Sequence, residues 1–141
     1  NKNQFSRKMK ELKINSGYKT KTRPNHNGID YAGNTGDKII VKKSGKVLRT
    51  ETKCVVGNKQ CGGGYGNFVE IQHTPEIKTI YAHLSSVNVI PNQIIEPFTL
   101  IGKIGSTGNS TGPHLHFEVK KNNIKVNPFD YANDYFGIEQ K

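Results

Sequence analysis

The sequence predicts an all-β domain with an antiparallel β-sheet core. Three observations lead there. The 141 residues include 15 glycines set among frequent Asn, Thr and Val, a texture of short strands joined by tight turns. No apolar run of helical period is long enough for a substantial helix. Two neighbouring segments, GNFVEIQH (66–73) and IKTIYAH (77–83), alternate apolar and polar residues, the mark of half-buried strands. A chain of this length fits one domain with one hydrophobic core.

Taken in order, residues 1–15 read as a lead-in segment or linker remnant. Phe5, Met9 and Leu12 recur there at helical spacing within a cationic run, which suggests a short amphipathic lead-in. The remainder, 16–141, reads as one unit. KIIVKKSGKVLRTET, from 38, holds two β-rich runs split by Ser44-Gly45, a plausible hairpin. The runs at 66–73 and 77–83, with Pro75 between them, predict adjacent antiparallel strands. Residues 91–112 mix short apolar pieces with Gly, Ser and Thr, and Gly105 to Gly112 predicts a loop. HLHFEVKK follows as a strand, Asn122-Asn123 as a turn and IKVN as a return strand. In NPFDYANDYFG, Asn127 reads as a helix cap, Pro128 as the first helical position and Gly137 as the residue past the end. No internal repeat or low-complexity tail is present.

Composition limits the partners. Lys plus Arg number 21 against 11 Asp plus Glu, a formal charge of +10, which suits nucleic acid, an anionic membrane or an anionic wall polymer. The aromatics are not interleaved with basic residues as in a stacking platform, which argues against nucleic acid. No stretch approaches the roughly 20 apolar residues of a membrane span, and no signal-peptide pattern opens the chain. The chain begins with Asn1 rather than Met, as a processed product or a domain of a longer protein would. Cys54 and Cys61 bracket VVGNKQ, whose Gly57 and Asn58 can turn the chain back. Their proximity, without a third Cys, favours a disulfide and hence an oxidising, extracytoplasmic compartment.

Two constellations carry chemistry. In a strand, His114, His116 and Glu118 share one face while Leu115, Phe117 and Val119 share the other. The apolar triplet claims the core, so both histidines face an open groove. His26 and Asp30, four apart in HNGID, would lie about 13 Å apart in an extended strand. The chain must bend to unite them, and Asn27-Gly28 can supply left-handed conformations for that bend. Catalytic zinc commonly takes three His or carboxylate ligands and leaves a fourth position to water. His26, Asp30 and one histidine of the HxH pair make such a set.

SGYKTKTRPNHNGIDYA, GYGNFVEIQH, IYAHLSSV, IGKIGSTGNSTGPHLHFEV and VNPFDY together resemble the lysostaphin-type, or LytM-type, zinc endopeptidases of bacterial cell walls, over residues 16 to 131 or so. The resemblance implies an antiparallel β core with a long open substrate groove and few short helices, similar to the duplicated-hybrid-motif scaffold. It implies zinc held by His26, Asp30 and His116, with His83 and His114 as the catalytic histidines. Tyr18 would lie beside the substrate and hydrogen-bond the oxyanion, with His83 and zinc sharing that charge, while His114 deprotonates the attacking water. His73 matches no functional position. The substrate would be peptidoglycan peptide, and anionic wall polymers would attract the cationic domain. The segment TETKCVVGNKQCGGG is more elaborate than is usual in relatives, which puts substrate preference in doubt more than chemistry. Two rivals are a non-catalytic wall-binding or activator module of the same fold and a sugar-phosphotransferase carrier. The second needs neither the aspartate ligand nor a disulfide.

Overall fold

The structure, a computed structural model, describes residues 9–141. Its strands are β1 (Ile14–Ser16), β2 (Ile29–Ala32), β3 (Lys38–Val41), β4 (Gly45–Glu51), β5 (Asn67–Gln72), β6 (Ile77–Val87), β7 (Ile94–Ile95), β8 (Thr99–Ile104), β9 (His114–Lys121), β10 (Ile124–Val126) and β11 (Phe136–Glu139). Among the described residues helix is confined to a 3-10 turn, Cys61–Gly64, and to α1 (Ala132–Tyr135). The strands join in one antiparallel 11-stranded sheet whose main path runs β1-β2-β9-β6-β5-β4-β7, with β8, β3 and β11 branching from β6. The all-β expectation is met.

The alternation in β9 sorts as its sequence demands. Leu115, Phe117 and Val119 are fully buried in the main core beside Ile29, Tyr31, Tyr81 and Phe136. The rings of Phe117, Tyr81, Tyr31 and Phe136 meet at centroid distances of 4.7 to 6.5 Å, and truncating a ring so enclosed costs about 3–5 kcal/mol. On the opposite face Phe68, Ile80 and Ala82, with Tyr65 against them, form a smaller apolar cluster. Asn122 and Asn123 both take positive φ, the geometry of a tight hairpin turn. β10 accordingly returns along β9, and β5 pairs with β6 as expected.

β6 serves two neighbours in succession. From Ile77 to Ala82 it pairs with β9, and from Leu84 to Val87 it pairs with β8. The handover falls on His83, whose φ of 64° lies in the left-handed region. Such strain in a residue that is not Gly persists only where the surroundings overdetermine it.

Three local expectations are corrected. Ser44-Gly45 does not close a hairpin: β3 pairs with β8 and β11, whereas β4 pairs with β5 and β7. Gly45 is there because a Cβ would stand 2.6 Å from the Gln72 carbonyl oxygen. Gly137 ends no helix but pairs with Ile40 inside β11, and Asn127 Oδ1 accepts only the Phe129 N–H, at 3.0 Å. Of the lead-in, residues 1–8 and hence Phe5 lie outside the described residues. Met9 bridges Glu139 in extended conformation, and Leu12 packs on the core. Lys10 pairs with buried Asp37, which also accepts the Asn34 and Lys141 N–H groups.

Candidate metal centre

Strand register brings the first two groups together. Asp30 stands opposite His116 in the β2–β9 ladder, and Ala82 of β6 stands on the other side of His116. His26 enters from the preceding loop, where its N–H donates to the Arg23 carbonyl at 3.1 Å. Neither Asn27 nor Gly28 adopts positive φ, so the bend does not use left-handed backbone as expected. Gly28 is required for space instead. A Cβ there would lie 2.6 Å from the Phe117 carbonyl oxygen and 2.7 Å from His116 Cε1.

The second nitrogen of each imidazole is already engaged. His26 Nδ1–H donates to the Gly17 carbonyl at 2.7 Å, leaving Nε2 as a lone pair. His116 Nε2–H donates to Glu118 Oε2 at 2.7 Å, which turns Nδ1 toward Asp30 Oδ1 at 2.8 Å and His26 Nε2 at 3.3 Å. Ligand atoms of His26, Asp30 and His116 lie within 4.8 Å of one another, and all three residues are buried. A proton on His116 Nδ1 can serve one of these two acceptors at a time; a tetrahedral cation serves all three donors. Two imidazoles and a carboxylate with their outer atoms tied down therefore fit a divalent metal ion.

The electrostatics agree. Burial alone would raise the Asp30 pKa, but His116, then His114 and Arg23, hold it well below the usual carboxylate range. Burial opposes charge on His116, yet the hydrogen bonds to Asp30 and Glu118 outweigh it and raise its pKa. A proton held there is one that a cation displaces.

A surrounding shell was not assigned a role from the sequence. Glu118 Oε1 accepts the Tyr65 hydroxyl at 2.7 Å, with Lys125 Nζ 3.3 Å from the same oxygen. Burial and Glu118 push the Tyr65 pKa up. Arg23 Nη1 donates to Asp30 Oδ2 at 2.9 Å. The even spacing of His114, His116 and Glu118 places the glutamate on the groove face; no spacing signals Arg23 or Tyr65.

His83 and His114 flank the three ligands, their ring centroids 4.9 Å apart. His83 Nδ1–H donates to the Thr107 carbonyl at 2.7 Å, and burial pushes its pKa down to about 4. Its neutral form thus presents a bare Nε2. His114 Nδ1–H donates to the Gly112 carbonyl at 2.9 Å, and its Nε2 lies 3.5 Å from Asp30 Oδ1. Gly63, Gly64, Tyr65, Asn109 and Arg23 line the cleft above His83 and His116. Tyr18 is half-buried against the main core and is not among those lining residues. His73 is structural, bonded to the Ser44 carbonyl and Thr79. Cys54 and Cys61 form the expected disulfide.

Residues 24–128 match peptidase family M23. The chain is 40% identical over 107 residues to DD-carboxypeptidase/endopeptidase Mpg of Neisseria meningitidis, covering 76% of this chain and 23% of that protein. It is 36% identical over 104 residues to murein hydrolase activator NlpD of Escherichia coli, covering 74% of this chain and 25% of that one. The chain therefore spans about a quarter of the length of these curated relatives. Among solved structures, a mutant catalytic domain of the prophage-encoded M23 protein EnpA from Enterococcus faecalis superposes with a TM-score of 0.69. It is 29% identical, and the match covers 86% of this chain and 92% of that one. No helix among the described residues is long and apolar enough to cross a membrane.

Proposed function

This chain belongs to peptidase family M23, and we propose that it is a zinc-dependent endopeptidase that hydrolyses peptide bonds in the stem or cross-bridge of bacterial peptidoglycan. The observation that carries this reading is the convergence of His26 Nε2, Asp30 Oδ1 and His116 Nδ1, each residue's remaining polar atom being already occupied. In that donor set zinc supplies a Lewis acid for the scissile carbonyl and an acidified water.

The chain's own groups then divide the work on the proton. His114, oriented by Gly112, takes the proton of the attacking water at Nε2 and returns it to the departing amine. For His83 we propose a role other than the oxyanion donor that the resemblance implies. Stabilising an oxyanion requires an Nε2–H, whereas burial and the Thr107 bond keep that nitrogen bare. His83 instead accepts a hydrogen bond from the water and orients it.

The +10 charge favours anionic wall polymers over a neutral surface, and the disulfide suits an extracytoplasmic setting. The name of the relative Mpg, a carboxypeptidase/endopeptidase, supports the peptidase reading. NlpD, named an activator, makes a non-catalytic module the alternative; the complete donor set with both flanking histidines favours the enzyme. Digestion of purified sacculi by the chain, with and without a chelator, followed by mass spectrometry of released peptides, tests it. Chelator-sensitive release of new peptide ends is expected. Intact sacculi under zinc-loaded conditions would establish the activator reading.

A further inference from the structure

Arg23 has more donor capacity than its contacts use. Its place is built into the loop. The Arg23 N–H donates to the Thr20 carbonyl at 3.1 Å and to Thr20 Oγ1 at 3.2 Å, while its own carbonyl accepts the His26 N–H. Pro24 follows and restricts the backbone before it. The guanidinium spends both hydrogens of Nη1, one on Asp30 Oδ2 at 2.9 Å and one on Ser16 Oγ at 3.0 Å. Nε and Nη2 carry three further N–H groups, for which the hydrogen bonds among the described residues provide no partner. The side chain is 50% exposed and lines the cleft together with His83 and His116.

A counter-ion for Asp30 requires neither that exposure nor an outward-facing fork. The rest of the cleft lining is Gly63, Gly64, Tyr65, His83, Asn109, His116 and Asp30, and the one acid among these, Asp30, is already paired through Nη1. Arg23 also falls one residue outside the segment that matches the family.

We infer that Arg23 is a specificity residue that reads a carboxylate on the substrate beside the scissile bond, pairing with it in bidentate fashion through Nε and Nη2. This rests on the function proposed for the same site and narrows it. The preferred substrates are stem-type peptides with a free carboxylate within a residue of the cut, and uncharged glycine bridges are disfavoured.

The test reads binding, not turnover. Two stem-type peptides carrying a reduced, uncleavable bond at the cut are titrated against the zinc-loaded chain by fluorescence anisotropy. One keeps its free carboxylates and the other has each converted to carboxamide. The acid is expected to bind about tenfold more tightly than the amide. Arg23→Gln should abolish the preference, and Arg23→Lys, which keeps the charge but not the fork, should lose most of it, both titrated in excess zinc and with loading checked, because Arg23 also holds the ligand Asp30. Lys78→Gln, which removes one charge at the exposed Lys78–Asn123 pair, should leave the preference intact. Equal binding of acid and amide by the wild type overturns the inference. So does a preference that survives in both Arg23 variants, or one that Lys78→Gln lowers as much as Arg23→Gln does. Failure of the catalytic reading would appear separately, as sacculi left uncut, and would not alter this binding result.

Discussion

Asp30 and His116 face one another directly across the β2–β9 ladder, with Asp30 Oδ1 and His116 Nδ1 2.8 Å apart. Two residues separated by 86 positions are thus aligned by backbone hydrogen bonding alone. A slip of one residue in either strand would turn one of them into the core. The pair also sets how the centre responds to pH.

Metal loading should release a proton. The metal needs the Nδ1 lone pair of His116, whose pKa in the metal-free chain lies above the ordinary 6.5 because Asp30 and Glu118 outweigh its burial. The sign follows from that raised value. In the metal-free chain this interaction stabilises the fold fully below about 6.5 and is lost as pH rises through the folded pKa. Zinc affinity runs the other way and should tighten as pH rises through neutrality, by up to about tenfold per unit, until His116 is deprotonated. Competition against a fluorescent chelator at stepped pH measures it, and a flat profile would contradict the assignment of Nδ1 as ligand.

Glu118→Gln should weaken zinc binding by about 10- to 100-fold, since the amide no longer fixes His116 as firmly through Nε2. The Tyr65 hydroxyl keeps an acceptor, but His116 and Lys125 lose a buried carboxylate, so the melting temperature should fall as well. The same competition assay, run beside a thermal melt, separates lost affinity from lost fold.

Replacing His114 by Ala should leave zinc content at one per chain while lowering turnover of wall peptides about 10²- to 10⁴-fold. Unchanged turnover, scored by mass spectrometry of released peptides, would remove His114 from the proton path. Loss of metal would make it a ligand instead.

Cys54→Ser, in a chain whose only other cysteine is Cys61, should destabilise the fold by about 2–3 kcal/mol through loop-closure entropy. A fall in melting temperature of about 5–10 °C corresponds to that. Because the disulfide leads directly into Gly63, Gly64 and Tyr65 of the cleft wall, KM for wall peptides should rise while zinc content stays constant. An unaltered KM would mean that the wall holds its shape without the bridge.

What could be read from the sequence was local. β9 announced itself because its two faces have opposite chemistry, and Asn122-Asn123 because few residues accept two positive φ angles in a row. β3 gave no such cue about its partners. Ile39, Ile40 and Val41 are all buried, so both faces are covered and the alternation that would distinguish a hairpin arm is missing. Pairing with β8 and β11, about 60 and 100 residues away, was decided by the long-range assembly of the sheet. Gly137 misled for a related reason, since a glycine after a short helical stretch also suits a strand crowded by Met9. In the site, His26, Asp30 and His116 were legible as residue types that bind metals. Arg23, Tyr65 and the second acceptor on Glu118 depend on which loop lies over which strand, and neither residue spacing nor periodicity encodes that.

The handover of β6 at His83 separates two tasks in the molecule. An imidazole clamped where two ladders meet has no freedom to swing, so the group proposed to orient the water is as fixed as the masonry around it. The walls that greet a substrate, by contrast, are loops anchored at Thr20 and at the disulfide. Under the proposed function, substitutions in those loops should change which wall peptide is accepted while His26, Asp30 and His116 beneath stay in place.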